Sequence, residues 1–305
     1  MARPVQRARL GAIGVVLVVV ALVLYRVTPR GVLDLSIGIV LGVGAGAVVG
    51  AARTLLNRRT AASTRRATAI VAAGSVWAIA LIVWVGCNDP TVQWFGHVTT
   101  HGNRADMRVA LTFDDGPDDP FSLDVSRILD AHGVKGTFFE VGKAIDARPD
   151  ITRALDADGQ LLGNHSYRHD YTGWLDPRYP ELAETQAAFE RATGRCPALF
   201  RPPHGQRTPF MLARVRDEGM HAVTWDVSAK DWVEHDGHVV AQRILAGVRP
   251  GSIILLHDGL DGNVTSDRSV LEVALPEILD GLAAKGLHPV RLDELMGVQG
   301  YLDHC

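Results

Sequence analysis

Short apolar runs alternate with longer amphipathic stretches from about residue 102 onward, and this alternation constrains the fold more than any other feature of the chain. Seven runs predict strands, at residues 109–113, 136–141, 160–163, 199–201, 222–226, 252–257 and 289–292. Six stretches between them predict helices, at residues 122–131, 151–157, 181–192, 209–218, 239–246 and 270–284. Such alternation is typical of parallel strands with helices outside them, so we predict one α/β domain with a closed or nearly closed barrel.

The first ninety residues differ in composition from the rest of the chain. They contain three uncharged stretches, residues 10–25, 35–52 and 67–88, against roughly 20 residues needed to cross a bilayer. Eight arginines flank the stretches on the side that would be cytoplasmic if the N-terminus is inside, against two on the other side. The sequence therefore predicts about three transmembrane helices in residues 1–88 and an extracytoplasmic C-terminal part. For the second stretch, the alternative is a buried helix of a soluble domain. If only two stretches span the membrane, the C-terminal part would be cytoplasmic instead.

Charge and cysteine content narrow the classes of partner. The whole chain has a net charge of −3 and its first ninety residues carry +8, so residues 91–305 carry −11. This acidic part would repel a phosphate backbone, which excludes nucleic acid as a partner. The three cysteines form no C-x-x-C zinc pattern. In an exported domain Cys196 and Cys305 could pair, leaving Cys87 free.

Two adjacent carboxylates follow the first predicted strand, in the run Thr112-Phe113-Asp114-Asp115-Gly116-Pro117. Like charges repel and burial disfavours both, so such a pair is usually held by a cation, an arginine or a shared proton. A solvated turn is the alternative, because Asp-Gly-Pro is ordinary turn chemistry. The six residues alone do not decide between a turn and a functional site.

Other polar residues stand at the ends of later strands, where a barrel places its catalytic side chains. His165 and His169 are four residues apart, and with one aspartate they would make a three-ligand zinc site with an open position. Two surface histidines are the alternative. His257 could equally be a packed core residue, Arg201 and Asp231 a plain ion pair, and Trp232 part of the core. All of these residues at one end of one barrel favour a catalytic site.

These motifs, taken in order, resemble the polysaccharide deacetylases, the carbohydrate esterase family 4 that shares the NodB homology domain. The resemblance covers about residues 105–296 and rests on five runs: Thr112 to Pro117, His165-Ser166-Tyr167-Arg168-His169, Arg201-Pro202-Pro203, Asp231-Trp232 and Leu255-Leu256-His257. It implies a distorted (β/α) barrel of seven to eight units. Two positions depart from the usual pattern, because His204 stands where many members have Tyr and Ser228 where Asp is frequent.

The resemblance also implies a role for each residue. Asp115, His165 and His169 would bind a divalent metal, usually zinc with cobalt as an alternative, and Asp114 would be the general base. His257 would protonate the leaving amine. Arg201 would orient Asp114, and Asp231 would orient His257. The backbone N–H of His204 would hold the oxyanion. Trp232 and Leu255 would line the acetyl pocket.

We therefore predict a membrane region at residues 1–88, a linker at 89–107, a catalytic domain at 108–297 and a tail at 298–305. The expected function is metal-dependent removal of N-acetyl groups from N-acetylglucosamine-type residues of an extracytoplasmic glycan, with peptidoglycan as the first candidate. Expected partners are this envelope polysaccharide and the lipid bilayer. The alternatives are an O-acetyl esterase on an envelope polysaccharide and a non-catalytic, membrane-tethered glycan-binding protein.

Overall fold

The computed structural model describes residues 61–305, which begin with helix α1, Ala61–Asn88. The third predicted transmembrane stretch, residues 67–88, lies in this helix, so its helical conformation is confirmed. Among residues 61–305, however, no helix has the length and apolar character needed to cross a bilayer. The predicted transmembrane region is thus not confirmed for the described part, and the stretches 10–25 and 35–52 lie outside it.

The chain divides into two compact units between Gly86 and Cys87, and the second unit contains a parallel sheet. Its strands are β1 (Arg108–Asp114), β2 (Thr137–Glu140), β3 (Leu161–Asn164), β4 (Leu199–Phe200), β5 (His221–Ala222), β6 (Val227–Ser228), β7 (Ile253–His257) and β8 (His288–Pro289). They run in the order β5-β4-β3-β2-β1-β7-β6, and β8 pairs with the start of β1. The prediction of a parallel α/β fold is confirmed as a curled half-barrel, since β5 and β6 are the two ends of this order.

Eight helices follow in the second unit. They are α2 (Phe121–Ala131), α3 (Gly142–Ala147), α4 (Pro149–Ala157), α5 (Glu181–Thr193), α6 (Pro209–Asp217), α7 (Gly237–Gly247), α8 (Ser269–Ala284) and α9 (Leu292–Met296). All six predicted helices are present. The sequence missed α3 and α9, because six and five residues are too few to establish a helical period. The last predicted strand, residues 289–292, ends early because α9 begins at Leu292.

Alternation along β1 decides which side chains enter the barrel. Val109, Leu111 and Phe113 belong to the large apolar core that also contains residues of α2, α7 and α8. Ala110 points to the other face, where it joins Leu292 and a smaller cluster of apolar residues. Because side chains alternate along a strand, Asp114 shares this inner face at the carboxyl end of β1. The pleat therefore directs the first of the two aspartates into the barrel.

The segment predicted as a linker is bonded to the sheet on both sides of the opening. Thr99 pairs with Val223 beyond β5, and its amide donates to the carbonyl of Ala222 at 3.0 Å. A few residues later, the amide of Gly102 donates to the carbonyl of Gly251 at 2.7 Å, next to β7. Residues 99–102 are thus packed parts of the second unit, while the predicted boundaries at 88, 107 and 297 stay predictions.

The C-terminal tail is held against the amino end of the sheet. Cys196 and Cys305 form a disulfide, which confirms their predicted pairing, and Cys87 is free and buried. The Tyr301 hydroxyl accepts a hydrogen bond from the Leu162 amide at 3.1 Å. Both contacts therefore hold the tail against the rest of the second unit.

Candidate active site

The carboxyl ends of the central strands bring together residues that are distant in the sequence. Parallel pairing places Asp114 of β1 opposite His257 of β7 on one side and opposite Phe139 of β2 on the other. His165 directly follows β3, and its amide bonds to the carbonyl of Glu140 at 3.0 Å. The predicted motifs therefore meet at one edge of the half-barrel.

The backbone turns sharply between the two aspartates, so that they face different partners. Asp115 has a φ of +77°, a left-handed conformation that is uncommon for a residue other than glycine. Gly259 packs so closely on this turn that a Cβ there would collide with the Asp115 carbonyl. Asp114 and Asp115 are both buried, with 2% and 5% of their surface exposed. The solvated-turn alternative is therefore excluded, because both carboxylates are inside.

Asp115, His165 and His169 form a compact group of potential metal ligands. The Oδ1 atom of Asp115 lies 3.3 Å from His165 Nε2 and 3.0 Å from His169 Nε2. The potential ligand atoms of the three residues all lie within 4.8 Å of one another, and all three side chains are buried. This excludes the alternative that the two histidines are separate surface residues.

The hydrogen bonds at the far side of each imidazole prepare the group for a cation. His165 Nδ1 donates to the carbonyl oxygen of Arg201 at 2.8 Å, so the lone pair of its Nε2 faces Asp115. Asp115 Oδ1 is buried without a hydrogen-bond donor. Two neutral nitrogens and one carboxylate oxygen are a donor set that divalent transition metals accept. The residues present therefore fit a metal ion.

The pKa shifts of His169 and Asp115 also indicate a site for a cation. Burial opposes a charge on His169, yet the carboxylates of Asp115 and Asp261 raise its pKa to about 9. Burial likewise opposes ionisation of Asp115, but His169 and His165 hold the pKa of Asp115 well below its usual range. The site thus stabilises positive charge between these side chains. A bound cation would replace the protons, because metal ligands bind in their deprotonated form.

Asp114 has a different partner, the fully buried Arg201. Arg201 Nη1 lies 2.6 Å from Asp114 Oδ1 and also donates to Thr112 Oγ1 at 2.8 Å. Its guanidinium lies 4.2 Å from the centre of the Phe139 ring, and Nη2 donates to the Thr224 carbonyl. The alternative of an ion pair between Arg201 and Asp231 is thereby excluded. These contacts fix one oxygen of Asp114 and leave Oδ2 facing His165, 3.6 Å from its Nε2.

His257 is held by Asp231 and by a residue that the sequence did not single out. Asp231 Oδ1 lies 3.0 Å from His257 Nδ1, and Asp231 Oδ2 accepts from the His257 amide at 2.9 Å. Arg268 Nη2 lies 2.7 Å from Asp231 Oδ2, and Arg268 Nε donates to the His257 carbonyl. Burial opposes a charge on His257, but Asp231 outweighs it and the pKa of His257 is raised. The packed-core alternative for His257 does not explain this ion pair.

The remaining predicted residues lie around this group. Trp232 contacts His257 edge-on, with ring centres 5.0 Å apart, and it is partly exposed rather than core. Leu255 is buried in β7, where its register partner is Thr112. His204, with a φ of +55°, contacts the His169 ring at 4.5 Å and stacks on Tyr171 at 4.1 Å. Burial first, then His169 and His165, lowers the pKa of His204 to about 4, so it is neutral at pH 7.

The chain before β1 supports the loop that carries His204. Arg207, at the end of this loop, is buried and donates to the carbonyls of Gly205 at 2.7 Å and Asp89 at 2.6 Å. Thr224 Oγ1 donates to the carbonyl of Pro90 at 2.6 Å. Residues just after α1 therefore form part of the site's support, which the sequence offered no periodic signal to reveal.

Comparison with known proteins agrees with this geometry. The family model described as polysaccharide deacetylase matches residues 101–223. A chitooligosaccharide deacetylase of Sinorhizobium fredii is 34% identical over 189 residues, which cover 58% of this chain and 86% of that protein. The chain belongs to the polysaccharide deacetylase family. A peptidoglycan-N-acetylglucosamine deacetylase of Bacillus cereus is 30% identical over 58% of this chain, and the match spans 64% of that protein's length.

Solved structures of this family have the same fold. A peptidoglycan N-acetylglucosamine deacetylase, crystallised with a substituted benzamide, has a TM-score of 0.62 and 28% identity, covering 67% of this chain and 94% of that one. A family 4 pseudoenzyme from Bacillus anthracis has a TM-score of 0.58 and 26% identity, covering 64% of this chain and 67% of that one. The second comparison means that activity has to be argued from the site and not from the fold.

Proposed function

We propose that this chain is a metal-dependent deacetylase that removes N-acetyl groups from N-acetylglucosamine-type residues of a glycan, with peptidoglycan as its substrate. The observation that carries the proposal is the division of labour between adjacent carboxylates. Asp115 faces two histidines and Asp114 faces Arg201. A glycan-binding protein would need neither arrangement. The names of the relatives, which include peptidoglycan and chitooligosaccharide deacetylases, support the substrate class.

Asp115, His165 and His169 would hold the metal, which we propose to be zinc, with cobalt as a substitute. When bound, such an ion supplies Lewis-acid polarisation of the acetyl carbonyl and acidifies water. Asp114 then accepts the proton of the attacking water through Oδ2, because its Oδ1 is held by Arg201. The Arg201 guanidinium holds Asp114 by its Oδ1 and thereby orients Oδ2 for its role as the base.

His257 completes the reaction by donating a proton to the leaving nitrogen as the carbon–nitrogen bond breaks. Its Nδ1 faces Asp231, so the proton leaves from Nε2. Asp231 stabilises the imidazolium, and Arg268 holds Asp231 in place. An amide nitrogen leaves poorly as an anion, which makes this proton essential for an amide substrate. The backbone N–H of His204 would donate a hydrogen bond to the oxyanion.

Two alternative functions fit the site less well than an N-deacetylase does. An O-acetyl esterase would use the same base and metal ligands, but an alkoxide leaves more easily and needs less help from His257. The second alternative is a non-catalytic glycan-binding protein, and the pseudoenzyme of similar fold is a precedent for the loss of catalysis. Against it stands the complete set of metal ligands, base and acid, which this chain brings together at one edge of the half-barrel.

Acetate release tests the proposal. The full chain should release acetate from N-acetylglucosamine oligomers and from peptidoglycan. A chelator should abolish the release, and added zinc or cobalt should restore it. Release from O-acetylated glycans alone would favour the esterase. Folded, zinc-loaded protein that releases no acetate from either substrate would leave only the binding function.

We further propose that the catalytic unit is extracytoplasmic and attached to the cell membrane through residues 1–88. The disulfide between Cys196 and Cys305 supports an oxidising location, and the uncharged stretches of residues 10–25 and 35–52 support the attachment. A reporter enzyme that is active only in the cytoplasm, fused after Leu302, should be inactive. An active fusion would contradict this topology.

A further inference from the structure

One residue outside the predicted set touches two of the three potential metal ligands. Asp261 lies in the loop after β7, and its Oδ1 is 3.0 Å from Nδ1 of His169. Its backbone amide donates to Oδ2 of Asp115, also at 3.0 Å. Asp261 thus contacts the outer atom of each of these two ligands, while Asp115 Oδ1 and His169 Nε2 face each other.

The loop is built to present Asp261 in this way. Asp261 has a φ of +52°, and Leu260 and Asn263 on either side of it form an antiparallel bridge. Next to them, the backbone of Gly259 packs against the carbonyl of Asp115 so closely that no side chain fits. Aspartate is one of the few residues other than glycine that adopt this left-handed conformation readily, and here the conformation places Asp261 against the ligand group.

We propose that Asp261 is a positioning residue of the metal site, which fixes the ring orientation and tautomer of His169 and one oxygen of Asp115. This inference rests on the proposed function only in that it assumes a metal at Asp115, His165 and His169. A carboxylate that accepts from Nδ1–H leaves the Nε2 lone pair free and makes it a stronger donor. His165 has a backbone carbonyl in the same role, the carbonyl of Arg201.

Geometry also offers another use for the same side chain. Asp261, His169 and His204 have potential ligand atoms within 4.8 Å of one another, as a second cation site would require. That site would need Nδ1 of His169 as a ligand while Nε2 binds the first ion, so the imidazole would have to lose both protons. Positioning requires only the ordinary neutral tautomer. The two uses differ in stoichiometry, one zinc per chain against two.

The proposal is tested by the zinc affinity of the metal-free full chain. This affinity is measured by competition with a chromophoric chelator, without any glycan. Asp261→Gly removes the carboxylate and tolerates the positive φ, and we expect it to weaken zinc binding about 10- to 100-fold. Asp261→Asn keeps an oxygen that can accept from Nδ1–H, so its loss should be smaller. Asp280→Asn, a charge-matched change at an exposed position of α8, should bind zinc like the wild type.

Each outcome bears on the positioning role. The melting temperature of the metal-free Asp261 variants should stay near that of the wild type, and the cobalt absorption spectrum of Asp261→Gly should change, because the geometry at His169 relaxes. A zinc affinity of Asp261→Gly within twofold of that of the wild type would overturn the inference. So would a stoichiometry of two zinc ions per wild-type chain that falls to one in Asp261→Gly. A wild-type chain that binds zinc but releases no acetate would contradict the proposed function and leave this inference intact.

Discussion

Asp114→Asn is expected to lower kcat for acetate release by a factor of about 100 to 10,000 while the chain keeps its zinc affinity. The amide cannot accept a proton from water, so the general base is lost. The zinc ligands are unchanged, because Asp115, His165 and His169 make their contacts without Asp114. The measurement is acetate release at saturating substrate, together with zinc content after dialysis.

Controls separate this loss from damage to the fold. Arg201 would keep its hydrogen bonds to Thr112 and Thr224, so the variant should fold, with a lower melting temperature because a buried ion pair is lost. Asp119→Asn removes an exposed aspartate that pairs with Arg148 and should leave turnover unchanged. If Asp114→Asn lost its zinc and Asp115→Asn kept it, the roles of the two aspartates would be reversed.

His257→Ala should reduce amide hydrolysis by a factor of about 100 or more and ester hydrolysis much less. The reason is the leaving group, since an amine must be protonated as it departs and an alkoxide need not be. Asp231 keeps its ion pair with Arg268 in this variant, so the loop should stay folded. The measurement is kcat on matched N-acetyl and O-acetyl glycans, and equal losses on both would contradict the acid role.

A companion variant checks the same acid through its pH dependence. Asp231 raises the pKa of His257, so the protonated acid persists to higher pH in the wild type. Asp231→Asn removes this charge and lowers the pKa of His257, so the alkaline limb of kcat should move to lower pH. His238→Ala, at an exposed position of α7, should leave the limb unchanged. A limb that stays in place in Asp231→Asn would mean that another group sets it.

The hydrophobic periodicity of the sequence was sufficient to predict most of the strands and helices. Two-residue alternation and helical spacing are local properties, so all seven predicted strand runs overlap an observed strand and all six predicted helices exist, while the two-residue β6 was missed. Parallel strands place their carboxyl ends together, and this rule alone brought the Asp114-Asp115 pair, His165 and His257 to one edge. The family resemblance, now confirmed, assigned roles to residues whose spacing it matched.

Other features depend on contacts between distant parts of the chain. Arg201 pairs with Asp114 across 87 positions, and Asp231 pairs with Arg268 across 37. Asp261 reaches back to Asp115 from a loop that has no periodic pattern. Nothing local distinguishes Arg268 and Asp261 from other charged loop residues, because their partners are set by strand order and loop direction.

The sequence by itself thus determined the α/β class, the edge that carries the site and the residue types that can bind a metal and transfer protons. The tertiary structure decided that the barrel stays half open and that Arg268 and Asp261 support the catalytic and ligand residues. The physical reason is the distance along the sequence over which each feature is determined. Backbone periodicity and turn chemistry depend on a few neighbouring residues, whereas the pairing of buried charges is fixed only when the whole sheet has formed.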